Sequence, residues 1–156
     1  LRIKQKQPEE AHTFFLRSLE VRNELPEAKV KQQAIAQSYV SLGNLAIERG
    51  DAAAKAKMPK LASQFYVHAV EDLRSSQAAY IRGFSAEHPK VAWALEGLAK
   101  VHLKLHALSE AQAAVEEAIT IRQRIQASDP TKEMFKKELS SALELKGEIL
   151  KSAASA

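Results

Sequence analysis

Apolar residues recur along this chain at steps of three and four, and nowhere in sustained alternation. That spacing keeps side chains on one face of an α-helix. The densest run is residues 91–119. Its first half carries Leu95, Leu98, Ala99, His102, Leu103 and Leu105. Its second half carries Ala111, Ala114, Val115, Ala118 and Ile119, continuing to Ile121. The pattern predicts two amphipathic helices with a turn near residues 106–109. Ser109 is the expected N-cap of the second helix, with Glu110 in its first turn. The alanines are strong helix formers and let neighbouring helices approach closely.

A lone hairpin leaves one of its faces uncovered, so further copies are expected, and the pattern does recur. Residues 39–51 repeat the first helix: Leu42 answers Leu98, Gly43 answers Ala99 and Ala46 answers His102. Residues 61–70 repeat the second, with Ala62, Tyr66 and Ala69 in the places of Ala111, Val115 and Ala118. Residues 10–19 repeat the second helix again, with Ala11, Phe15 and Ser18.

In chain order, residues 1–7 read as a linker or as the tail of an upstream helix. Pro8 suits the first turn of a helix that reaches about Glu24 with the stripe Ala11, Phe14, Phe15, Leu19 and Val21. Pro26 then opens a helix to about Arg49, and Gly50 and Asp51 stop it. Against the central hairpin, about seven extra residues precede Ala62. They either start the next helix early or bulge as a loop, with Pro59 at the break. Beyond Ala69 residues 73–81 add about two more turns, so both extras lengthen one helix, which would protrude. His88, before Pro89, reads as a turn and capping residue. Residues 131–151 form a last helix with Phe135, Leu139, Ala142, Leu143, Ile149 and Leu150 on its apolar side. Its polar remainder suits a capping helix, and residues 152–156 read as a frayed tail.

The repeat resembles the tetratricopeptide repeat (TPR) superfamily, which pairs a large residue and Leu-Gly or Leu-Ala on one helix with Ala, an aromatic and Ala on the next. Tyr39, Leu42, Gly43, Ala62, Tyr66 and Ala69 carry the resemblance, as do Leu95, Leu98, Ala99, Ala111 and Ala118. Departures are Ala46, His102, Val115 and His106, where the family has aromatics or the turn glycine. His88 with Pro89, Asp129 with Pro130, and Ile121 with Arg122 are similar to the long repeats of kinesin light chains, and residues 20–22 echo the last pair. The resemblance covers roughly residues 8–130. It implies an all-α fold, a right-handed α-solenoid of antiparallel helix pairs. A half repeat would span 8–25, repeats 26–87 and 88–128, and a C-terminal capping helix 130–151.

Composition adds little. At 156 residues the chain has the length of one domain. It has no cysteine, hence no disulfide or thiolate metal site, which fits a reducing compartment. A net charge of +4 is spread out, and the lysine clusters at 55–60 and 132–137 read as solvated loops, not a polyanion stripe. No apolar run reaches membrane-span length and no signal peptide is visible. Because the chain opens at Leu1, inside what should be a repeat, a longer parent protein with its own targeting signals is the expectation.

Catalytic chemistry is not expected. His102 and His106 have the four-residue spacing of helical metal ligands, but no glutamate lies between them and no third ligand is placed. His102 reads as a packing residue, and His12 and His68 as residues at helix contacts or the rim. No phosphate-binding glycine loop or nucleophile elbow occurs. No cofactor and no metal are therefore expected.

The resemblance implies a peptide-binding concave face built from first helices. Carried onto this chain it consists of Val40, Asn44, Ile47 and Glu48, then Trp93, Glu96, Lys100, Leu103 and Lys104. Asn44 has both donor and acceptor for a peptide amide, and Trp93 is either an anchor or a packing residue. Val40 and Gly97 stand where the family's clamp for acidic chaperone tails needs Lys and Asn, so that ligand is not expected. The expectation is a non-catalytic adaptor or scaffold that binds a protein or peptide, not nucleic acid or membrane. It would sit in the cytoplasm, with the cytoskeleton as one setting. The alternative is an assembly segment that docks onto another part of a larger protein, or onto a second copy, through Phe14, Phe15 and the long helix.

Overall fold

The structure is a computed structural model that describes residues 2–25 and 28–155, with side chains from Gln7 onward. Six helices follow one another: α1 (Arg2–Asn23), α2 (Lys29–Lys55), α3 (Pro59–Gly83), α4 (Pro89–Lys104), α5 (Leu108–Ser128) and α6 (Glu133–Ala154). Among the described residues there is no strand. The chain divides into two compact units, Leu1–Ser85 and Ala86–Ala156.

In the first unit α2 and α3 form an antiparallel hairpin, and α1 packs on α2. The α2–α3 seam repeats every seven residues, two helical turns. Gly50 faces the ring of Tyr66 so closely that an added Cβ would lie 2.5 Å from Cε1. Gly43 faces Leu73, where a Cβ would meet Cγ at 3.1 Å. Further along, Tyr80 is buried and its hydroxyl donates to Gln37 at 3.2 Å. At the open end the small residue changes sides: Gly83 lies against Gln33, whose amide donates to the Gly83 carbonyl at 2.8 Å. Small residues facing large ones let the two axes approach and let the side chains interdigitate.

Both hairpins close on the same turn. Lys57 has a φ of 59° and His106 a φ of 56°. Met58 donates its amide to Ala53 and Ala107 donates to His102, each at 2.9 Å. Lys57 and His106 add the inner bonds to Ala54 and Leu103. This is the Schellman arrangement that satisfies a helix's last carbonyls.

The turn corrects the expected register. Lys57 occupies the place of His106, so Gly50, not Gly43, stands where Ala99 does, and nothing is inserted before Ala62. Gly50 does not stop α2, because none of the described glycines has a positive φ and the following run of Asp, three Ala and Lys favours helix. The extra length sits at the hairpin's open end and is shared by both helices. α2 has 27 residues against 16 in α4, and α3 has 25 against 21 in α5.

Other boundaries shift as well. Pro8 lies inside α1, which begins at Arg2. The expected opener Pro26 lies outside the described residues, and α2 begins at Lys29. Ser109 is not the cap of α5: the helix starts at Leu108 after Ala107, without a side-chain cap. His88 does cap α4, its Nδ1 accepting from the Lys90 amide at 3.1 Å. Residues 152–154, expected to fray, continue α6.

The second unit stacks α4, α5 and α6. Its core is Ala99 from α4, then Ala111, Val115 and Ile119 from α5, and Ala142, Leu145 and Ile149 from α6. Of the stripe expected on the last helix, Ala142 and Ile149 are in this core and Leu139 packs against it, whereas Leu143 and Leu150 are exposed and Leu145, outside that stripe, is buried in their stead.

Candidate functional site

The nine expected groove residues lie on two helices, one in each unit. On α2 Val40 is only 1% exposed and belongs to the core, so it cannot meet a partner. Asn44 and Glu48 are exposed and Ile47 is half-buried. On α4 Trp93 is 41% exposed, with the Lys90 ammonium 5.7 Å from its ring centroid. Lys100 and Lys104 are exposed and follow Trp93 at steps of seven and four, on one face. Leu103 packs against the α4–α5–α6 core instead.

Glu96 serves a structural purpose. Arg122 of α5 donates Nε and Nη2 to its two carboxylate oxygens at 3.0 and 3.1 Å, and Nη1 to Glu138 of α6 at 2.9 Å. Arg122 is 5% exposed, Glu96 14% and Glu138 35%. A buried guanidinium needs such partners for its fixed fork of donors. Arg22 occupies the matching place on α1: its Nη1 donates to the Ala34 carbonyl at 2.7 Å and to Ser38 at 2.6 Å. Both arginines span sixteen residues to the following helix.

His102 is buried, while His106 sits exposed in the turn. Among the described residues no three His, Cys, Asp or Glu converge as a metal site.

Sequence reasoning missed a cleft in the first unit. It measures about 300 Å³ and lies between α1, α2 and α3. Each wall is a one-face stripe: His12 and Leu16 on α1, Leu42, Leu45, Ala46 and Arg49 on α2, and Phe65, His68 and Asp72 on α3. The Arg49 guanidinium stands 4.6 Å over the Phe65 ring centroid. Burial pushes the Asp72 carboxyl up to about 6, against the opposing pull of His68, with Glu71 adding to the rise. Beside the cleft, Tyr66 donates its hydroxyl to Asp51 at 2.6 Å. Burial first, then that carboxylate, pushes the phenol up to about 12. The three-, four- and seven-residue spacings were the available signal, but which stripes face one another depends on the packing.

No family model, no curated protein and no solved structure matches this chain. No helix among the described residues is long and apolar enough to cross a membrane.

Proposed function

We propose that the chain is a TPR-type repeat module, a right-handed solenoid of antiparallel pairs closed by α6, and that it holds a protein or peptide partner in the cytoplasm without catalysing a reaction. The repeat reading draws support from the shared turn of the two hairpins and from the sixteen-residue reach of Arg22 and Arg122. The binding reading rests on one observation. α4 buries Val91, Ala92, Ala94, Leu95, Leu98 and Ala99, yet leaves its indole exposed beside Lys90 and in line with Lys100 and Lys104. An exposed Trp flanked by cations suits an apolar side chain followed by acidic residues. Capture of partners from lysate by the wild-type chain and by Trp93→Ala/Lys100→Ala tests this. A partner lost in the double variant, while its helicity and melting are unchanged, supports the α4 face. Undiminished capture removes that face. Asn44→Ala reports on α2 in the same assay.

One observation favours the assembly reading: α1 exposes Phe14 (68%), Leu16 and Val21. Light scattering tests it, because a strict monomer at high concentration excludes self-association.

A further inference from the structure

The cleft between α1, α2 and α3 is unlike the exposed α4 face. It is concave, its lining joins apolar side chains to Arg49, Asp72 and two histidines, and it belongs wholly to the first unit. Arg49 is placed over an aromatic ring, and no carboxylate lies within ion-pair distance of it among the described residues. The ring contact restrains the guanidinium without using its N–H donors, which can serve a ligand. His12 and His68 bring two imidazoles from opposite walls. Leu16, Leu42, Leu45 and Ala46 supply apolar surface between them. At about 30 Å³ per water-sized group, 300 Å³ holds about ten non-hydrogen atoms. Small-ligand pockets have this character: mostly apolar walls with a few convergent polar groups.

We propose that this cleft binds a small amphipathic carboxylate of about ten non-hydrogen atoms, its charged end on Arg49 and its apolar body on Leu16, Leu42 and Leu45. An anion is favoured because Arg49 is the fixed charge of the cleft and stands over Phe65 without a carboxylate partner among the described residues. The acid among its lining residues is Asp72. The charged and titratable groups around Asp72 are His12 from α1, Arg49 from α2, and His68 and Glu71 from α3. Protonation of Asp72 removes the negative charge among the lining residues and leaves that of Arg49. Carboxylate binding is therefore expected to strengthen as pH falls from 7.5 to about 6, a range in which an aliphatic carboxylate stays ionised.

Octanoate, with ten non-hydrogen atoms, is the probe, and octylammonium is the charge-reversed control. Calorimetric titration of the full chain with octanoate is expected to saturate at one site. Arg49→Gln is expected to weaken binding at least tenfold, as removal of a charge-assisted hydrogen bond does. Leu16→Gln, a change at an exposed position that leaves the helix core alone, is expected to weaken it about threefold, in proportion to the apolar surface it takes from the ligand. Asp72→Asn is expected to tighten binding at pH 7.5 and to shrink the pH dependence. Each variant's circular dichroism and melting are recorded alongside. Non-saturating octanoate, equal binding of octylammonium, or an Arg49→Gln variant that is folded and binds as wild type would each overturn the proposal. Because the Trp93/Lys100 partner assay reads a different face, either proposal can fail without the other.

Discussion

Gly50 of α2 lies directly against the ring of Tyr66, and the Tyr66 hydroxyl is anchored one residue further along α2 by Asp51. The ring cannot retreat without breaking that hydrogen bond. In the second hairpin the corresponding pair is Ala99 and Val115, both fully buried. One hairpin fills the same space with nothing and a phenol, the other with a methyl and an isopropyl group.

Gly50→Ala should therefore destabilise the chain, although alanine is the better helix former by about 1 kcal/mol. The overlap with a held ring outweighs the propensity gain, and a net loss of about 2 kcal/mol is expected. In a Tyr66→Val background the same change should be neutral or stabilising. Urea melts of the four-member cycle give the coupling, expected to exceed about 1 kcal/mol. Additive effects would mean that the ring yields.

The turn residues make the opposite prediction. Lys57 and His106 hold a left-handed backbone that costs a side-chain-bearing residue roughly 1–2 kcal/mol. Lys57→Gly and His106→Gly should each stabilise by about 0.5–1 kcal/mol once the greater freedom of unfolded glycine is subtracted. Thermal melts would register an upward shift for both. A loss at either site would mean that its side chain makes a compensating interaction.

Removing Arg122 should be expensive. Arg122→Met leaves the Glu96 carboxylate with little solvent and no partner, a loss of about 3 kcal/mol. Glu138→Gln should cost less than about 1 kcal/mol, because that carboxylate reaches water. Chemical denaturation orders the two. Equal losses would mean that the guanidinium depends on both carboxylates alike.

Asp72 links the cleft to stability. Its folded value of about 6 lies above the unfolded 3.8. The folded chain therefore holds the proton more tightly between those values. Stability from this group is fully present below pH 3.8 and is lost as pH rises through 6. Asp72→Asn should thus melt higher than wild type at pH 7.5, by on the order of 1–2 kcal/mol given the open side of the cleft. The gap should close by about pH 4. A gap independent of pH would assign the gain to something other than the buried charge.

The all-helical class and the six helices were legible because long amphipathic stripes carry their own period. Ala111, Val115, Ile119, Ala142 and Ile149 are core residues as their spacing requires. The register of α2 was not legible. Gly43 and Gly50 are seven residues apart, so both face α3, and Gly43 after Leu42 matches the Leu-Gly pattern although Gly50, after Arg49, holds that place in the hairpin. Only the turn at Lys57 separates them, and it is hidden because lysine occupies a position where glycine is the usual marker. Among the groove residues Val40 was misjudged, since a valine's burial depends on what packs over it. The cleft was invisible for a different reason: Arg49, Phe65, Asp72 and His12 come from three helices and become neighbours only when these pack.

The ladder along α2 and α3 also sets an order of events. Tyr66 and Asp51 are fifteen residues apart, Tyr80 and Gln37 forty-three, and Gln33 and Gly83 fifty. Each rung closes a short additional loop once the previous one is made, so the chain never faces a large closure entropy at a single step. The hairpin is built to zip outward from Met58, with Gly50 and Tyr66 meeting early and Gly83 last. Pairings so local belong to the fast end of folding kinetics. Breathing in the native state should begin at the Gly83 end and reach the amides around Gly50 only when the whole hairpin opens.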